Sequence, residues 1–262
     1  MLSDEEADNG AVSIDIQKNK TIISYTFDNQ LIGYDTVKVG TYNFSNDISQ
    51  VKSISLEEAE MVRKQIDTMN SQRIYEKKLE TYKNKNLNIL EIGSYAGASA
   101  AAFTKYLPKS KVYCFDVNIS NFKYKSENIK VFGIDINNQK KVVKTLNKIF
   151  SEQNFTQFDL IIDDGSHNLS DILISLKFFF KYVKNKGLYI IEDYKYPNYY
   201  KYNRNIDHLL VDQIFESLNN KKLFNSNIFN DDDQKELMNS IKLIETFKGN
   251  LNDSDISFIT KA

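Results

Sequence analysis

Residues 158–167, Phe-Asp-Leu-Ile-Ile-Asp-Asp-Gly-Ser-His, constrain the fold more than any other stretch of this chain. The apolar run Leu160-Ile161-Ile162 fits a strand buried on both faces, as in the middle of a parallel sheet. It runs directly into Asp163, Asp164, Gly165, Ser166 and His167. Open α/β sheets bind ligands outside the carboxyl ends of their strands, so these side chains stand at a candidate site. The pattern recurs at Gly187-Leu188-Tyr189-Ile190-Ile191, which leads into Glu192-Asp193. Two neighbouring strands then aim carboxylates into one crevice with an imidazole beside them, a cation site with a base attached.

The surrounding sequence supplies the rest of such a sheet. Asn88–Ile92, Lys111–Asp116 and Lys130–Asp135 read as three earlier strands, the last two ending in an acid. Between them lie a glycine loop over 93–97, a small-residue helix over 98–106 and a helix over 139–152. A helix over 169–184 leads into the fifth strand, and another is expected over 206–219, carrying His208 as a structural residue. Segments 241–247 and 255–260, joined across 249–253, read as a terminal hairpin adding an antiparallel edge. The prediction is an α/β fold: a doubly wound, mostly parallel seven-stranded sheet over residues 87–262.

Residues 1–50 read as a small β-rich appendage. Residues 1–10 are expected to be disordered, and the pattern from Ala11 to about Phe44 is strand-like, with turns at 17–20 and 28–30. A meander of two or three strands is marginal alone, so it is expected to pack on the main domain or a second subunit, which makes a homo-oligomer through this region an expectation. Residues 51–86 form a helical connection. It opens on the capping box Ser55-Leu56-Glu57-Glu58, runs through Met61, Ile66 and Met69, and continues from Arg73 to Lys83.

Composition excludes several classes. A net charge of -1 over 262 residues gives no reason to expect nucleic acid or an anionic membrane as partner. No apolar run approaches the roughly 20 residues of a membrane span, and the polar, acidic start has no signal-peptide pattern; a cytoplasmic protein is expected. The single cysteine, Cys114, rules out an internal disulfide and reads as a buried small hydrophobe.

The glycine loop, Glu91-Ile-Gly93-Ser94-Tyr95-Ala-Gly97, lets backbone approach a ligand at the end of the first strand. It lacks the third glycine of the dinucleotide fingerprint and the Gly-Lys-Ser/Thr of a P-loop. A carboxylate here suits a cationic amino group better than a pyrophosphate. Asp116 is placed to accept the hydroxyls of a ribose, and Asp135 an exocyclic amine.

In this order, Glu91-x-Gly93-x-x-x-Gly97 with Asp116 and Asp135 resembles the class I S-adenosylmethionine-dependent methyltransferases over roughly residues 85–262. The resemblance implies a Rossmann-like methyltransferase fold. It implies a cofactor, S-adenosylmethionine, held by Glu91, Gly93, Ser94, Tyr95, Gly97, Asp116, Asp135, Ile136 and Asp163. Asp164-Gly165-Ser166-His167 with Glu192-Asp193 further resembles the metal-dependent macrolide-sugar O-methyltransferases and their relatives in the cephalosporin hydroxylase-like group. That implies Mg2+ or Mn2+ on Asp164, Glu192 and Asp193, with Asp164 and His167 catalytic and His167 as the base. Catechol-type O-methyltransferases carry lysine where this chain has His167, which favours a sugar acceptor.

The expected activity is metal-dependent O-methylation of a sugar hydroxyl, by direct transfer with no covalent enzyme intermediate. The tyrosine-rich loop Tyr194–Arg204, with Lys195, Lys201 and Arg204, is suited to stack on a base and meet phosphates. The expected acceptor is therefore a nucleotide-linked or glycan sugar, such as a heptose, in bacterial polysaccharide (capsule) biosynthesis. The competing readings are a small-molecule O-methyltransferase on a phenolic or macrolide-like acceptor, a non-catalytic cofactor-binding subunit, and a nicotinamide dehydrogenase.

Overall fold

The computed structural model describes residues 11–27, 30–59, 70–199, 206–249 and 255–262. The chain divides into two compact units, Met1–Met69 and Asn70–Ala262.

The first unit carries an antiparallel meander of β1 (Ala11–Ile16), β2 (Thr21–Phe27) and β3 (Gln30–Val37), in that spatial order. The β1–β2 turn closes where Gln17 N–H donates to the Lys20 carbonyl at 2.8 Å. The strand-like reading up to Phe44 is corrected: α1 occupies Thr41–Lys52. The alternation in Thr-Tyr-Asn-Phe is overridden by a local cap, in which Asn43 Oδ1 accepts the Gly40 N–H at 3.0 Å. The capping box forms, with Ser55 N–H donating to Glu58 Oε2 at 2.9 Å and Glu58 N–H to Ser55 Oγ at 3.2 Å. The helix expected through Met61, Ile66 and Met69 and the N-terminal ten residues lie outside the described residues.

The second unit opens with α2 (Asn70–Leu79) and a short 3-10 turn over Glu80–Tyr82. It then alternates β4 (Asn88–Ile92), α3 (Ala98–Tyr106), β5 (Lys111–Asp116), β6 (Ile129–Gly133), α4 (Gln139–Gln153), β7 (Phe158–Asp163), α5 (Leu169–Phe179) and β8 (Val183–Ile191). A four-residue turn α6 (Tyr196–Tyr199) follows, then α7 (Val211–Asn219), α8 (Asp231–Ser240), β9 (Ile241–Phe247) and β10 (Ile256–Lys261). The seven strands lie in the order β6-β5-β4-β7-β8-β10-β9. β4 is flanked by β5 and β7, and β4 to β8 are all parallel. The winding therefore reverses between β4 and β7, where doubly wound sheets open a ligand crevice. The hairpin sits differently from a simple added edge. The last strand, β10, pairs antiparallel with both β8 and β9, so it is interior and β9 forms the edge.

Two further boundaries move. The third predicted strand stops at Gly133, which leaves Asp135 and Ile136 in the turn before α4. The helix expected from Ile206 begins at Val211, so His208 lies in the preceding loop, where its N–H donates to Asp207 Oδ1 at 2.6 Å.

Strand alternation sorts the core into two faces. Leu90, Ile92, Tyr113, Phe115, Ile161, Tyr189 and Ile191 face the layer that includes α4, α5, α7 and α8. Ile89, Val112, Cys114, Leu160, Ile162, Ile190 and Phe258 face the side that holds Leu79 of α2 and Ala100 of α3. Burying a side chain such as Phe258 contributes about 1.5–3 kcal/mol. Among the described residues no helix is long and apolar enough to cross a membrane.

Cys114 sits in the middle of this packing. It is fully buried, and burial followed by the Glu91 carboxylate pushes its thiol far above the usual range. In the folded chain it is expected to ignore an aromatic disulfide reagent at pH 8. One equivalent should react after denaturation; rapid native labelling would contradict this packing.

Candidate active site

The crevice at the reversal of the sheet is built from loops laced to the strand ends. Gly93 N–H donates to the Phe115 carbonyl at 2.8 Å, Asp164 N–H to Ile92 at 2.9 Å, and Glu192 N–H to Asp163 at 2.9 Å. These bonds extend the β-ladder past the strands and fix where the loop side chains start. Gly93, at φ 86°, passes so close to the next loop that a side chain there would strike the Asp164 carbonyl. Gly97, at φ 82°, caps α3, and a Cβ would meet the Phe122 ring.

A cavity of about 480 Å³ lies along these ends. Gly93, Tyr95, Asp116, Asp135, Ile136 and Asp164 from the sequence prediction all line it, with Phe115 and Ile134 adding apolar wall. Asp116 is held by two backbone donors, Tyr95 N–H to Oδ2 at 2.7 Å and Asn118 N–H to Oδ1 at 2.7 Å. Each of its oxygens keeps a further lone pair for a ligand. Asp135 Oδ1 accepts the Asn137 N–H at 2.9 Å. The lining also contains Asp171, which the sequence reading missed. As an acid in the first turn of α5 it reads simply as a favourable helix start, yet it accepts a close hydrogen bond from Ser166 Oγ and another from Asn137 at 3.3 Å. Four carboxylates thus line the cavity, and no lysine or arginine does among the described residues.

Glu91 is placed elsewhere. Alternation along β4 turns it to the face opposite Ile92, where it is fully buried and Cys114 Sγ approaches Oε2 at 3.6 Å. Burial raises its pKa. The hydroxyls of Ser99 and Ser94 act against that rise. Asp163 also leaves the crevice. It is buried and accepts from Tyr189 OH at 3.3 Å, and burial pushes it up to about 6 against the hydroxyls of Ser175 and Tyr189. In this structure its carboxylate is engaged by internal hydrogen bonds.

The second half of the site gathers Asp164, His167 and Asp193, one ligating atom of each lying within 4.8 Å of the others. His167 Nε2 is 3.6 Å from Asp164 Oδ1 and 3.7 Å from Asp193 Oδ2, too long for direct hydrogen bonds. His167 and Asp193 have left-handed backbones, φ 57° and 50°, as does Tyr95 at 41° in the glycine loop. Strain in non-glycine residues gathers at functional sites. Burial first, then Glu192 and Asp193, hold Asp164 well above the usual carboxylate range. Glu192, raised in the same direction by burial, stands outside that group of three, and Tyr75 OH donates to its Oε1 at 2.7 Å. Tyr75 escaped the sequence reading because it lies 117 residues from Glu192 and reads as a core aromatic on an amphipathic helix. The arrangement concentrates carboxyl groups whose ionisation a cation would favour, beside an imidazole.

No protein-family model matches the chain. Over 126 residues, 45% of this chain, it is 27% identical to the mycinamicin VI 2''-O-methyltransferase of Micromonospora griseorubida. Over the same length it is 25% identical to the demethylmacrocin O-methyltransferase of Streptomyces fradiae. The matched stretch spans 30% of the length of each of these relatives. Among solved structures, the MycE methyltransferase from the mycinamycin pathway, in complex with Mg, SAH and mycinamycin VI, superposes with a TM-score of 0.55. That match has 18% identity and covers 72% of this chain and 48% of the other. A second MycE crystal form, with Mg and SAH, gives a TM-score of 0.56 at 13% identity over 97% of this chain and 81% of the other. The chain thus shares the fold of these methyltransferase structures, and over the matched stretch it is similar in sequence to the two O-methyltransferases.

Proposed function

We propose that this chain is an S-adenosylmethionine- and divalent-metal-dependent O-methyltransferase acting on a sugar hydroxyl, with residues 87–262 as its catalytic domain. The observation that carries the reading is the sign of the crevice: four carboxylates and, among the described residues, no lysine or arginine, with Glu91 buried beneath the glycine loop. A pyrophosphate-bearing nicotinamide cofactor would meet repulsion there. A ligand with a sulfonium and an ammonium meets compensation. The volume falls in the range of small-molecule sites, and the apolar wall of Phe115, Ile134 and Ile136 suits an adenine ring.

When bound, S-adenosylmethionine supplies an electrophilic methyl group, and a divalent cation supplies a Lewis acid that lowers the pKa of an acceptor hydroxyl. The residues do the rest. Asp116 orients the ribose end, and Asp164 and Asp193, with Glu192 beside them, offer hard oxygen ligands. His167 takes the acceptor proton at Nε2 as the oxygen attacks.

The acceptor is best read as a sugar carried on a small molecule. The relatives named above are macrolide O-methyltransferases. The nucleotide-linked sugar expected from the tyrosine-rich loop has less behind it: Lys195 is committed to Asp255 at 2.9 Å, and Lys201 and Arg204 lie outside the described residues. Nothing in the described site favours a heptose or a capsule polysaccharide.

Isothermal titration tests the class. S-adenosylmethionine is expected to bind and NAD is not; the reverse would sink the proposal. His167→Ala should lower S-adenosylhomocysteine release, with mycinamicin VI or demethylmacrocin as trial acceptors, by about 10²–10⁴-fold. Cofactor and Mn2+ binding should survive it, and a loss of Mn2+ binding would make His167 a ligand instead. Asp164→Ala should abolish Mn2+ binding, whereas persistent chelator-sensitive turnover would remove Asp164 from the ligand set.

A further inference from the structure

Glu192 and Asp193 are adjacent, yet the structure separates them. Asp193, through its left-handed backbone, turns into the cluster with Asp164 and His167. Glu192 continues the alternation of β8 onto the Ile190 face, towards α2 and α3. There it meets a cavity of about 590 Å³ whose walls are mostly apolar, including Leu79, Ala102 and Phe103. A carboxylate on a long, flexible side chain has no reason to settle against such a wall without a partner. Tyr75 is that partner, at 2.7 Å. Its ring is itself held edge-on by Phe103 and Phe258, with centroids 5.7 and 5.5 Å away, and Phe258 is fully buried. A rigid line thus runs from the core of the sheet through one hydroxyl to the carboxylate.

We propose that Tyr75 is a positioning residue for the metal site: its hydroxyl pins Glu192 through Oε1 and leaves Oε2 available as a ligand beside Asp164 and Asp193. This rests on the metal-dependent reading above. A hydrogen bond at a desolvated wall is stronger than one in water, so it restricts Glu192 more than a surface contact would. With Oε1 taken, Glu192 is limited to monodentate binding. Groups that orient metal ligands are typically worth 10–100-fold in metal affinity.

The test is Mn2+ titration of the full-length chain, followed by calorimetry, for wild type, Tyr75→Phe and Glu192→Gln. Tyr75→Phe keeps the ring against Phe103 and Phe258 and removes only the hydroxyl. It should weaken Mn2+ binding about 10–100-fold. Its melting temperature should stay within about 2–4 °C of wild type, and S-adenosylhomocysteine should bind equally well without metal. Any loss of turnover should be restored by raising Mn2+, which a folding defect would not allow. If Glu192→Gln weakens Mn2+ binding and Tyr75→Phe does not, the positioning role falls and the metal site stands. If Tyr75→Phe lowers the melting temperature without changing Mn2+ affinity, Tyr75 is a packing residue only. Failure of the wild-type chain to bind Mn2+ would remove the metal reading, and this role with it.

Discussion

Carboxylates gathered where, among the described residues, no lysine or arginine lines the crevice govern the ligand-side edge of this sheet. Asp116, Asp135, Asp164 and Asp171 line one crevice, and Glu91 and Glu192 lie beside it. Buried charge without a partner costs several kcal/mol, about as much as a large share of a domain's net stability. A chain selected for stability alone would neutralise such a cluster. Here the remainder of the sheet supports it: β4, β7 and β8 are buried apolar strands whose ends are tied together by backbone hydrogen bonds, so the acids cannot spread apart. The charge is stored in a rigid frame, and its natural complement is a cationic ligand.

The doubled acids at the ends of β7 and β8 serve different purposes within each pair. Neighbouring residues on an extended chain point to opposite faces. Asp163 therefore turns inward to Tyr189, while Asp164 opens onto the crevice. One strand over, Glu192 turns to Tyr75 and Asp193 to His167. In each pair the first carboxylate accepts a hydrogen bond from a tyrosine and the second lies in the crevice or its cluster.

This division explains what the sequence could and could not convey. The strand ends, the glycine loop and the acids after them are local patterns, and they fell where the periodicity put them. The face that each acid takes is set by register and by residues distant in the chain. Hence Glu91 reads as a loop carboxylate but sits beneath the loop against Cys114, and Asp163 reads as a ligand-side acid but packs inside. Tyr75 carries no local mark at all. The two local misreadings share another cause: a side-chain cap at Asn43 turned an alternating stretch into a helix, and the turn at Asp135 cut short an apolar run.

The interior position of β10 bears on how the molecule assembles. β4, β5 and β6 pair with their neighbours in sequence, as do β7 and β8, whereas the β4–β7 pairing joins Ile89 to Leu160 across two helices and two strands. β10 must likewise return across the whole α7–α8 segment to pair Ser257 with Ile191 at the base of the Glu192-Asp193 corner. Closing so large a loop costs entropy before any contact repays it, which delays such pairings. These two long-range pairings, β4 with β7 and β8 with β10, frame the two acid pairs, and Phe258, which braces Tyr75, arrives with the second. Until both have formed, the crevice between β4 and β7 and the brace on Tyr75 are incomplete.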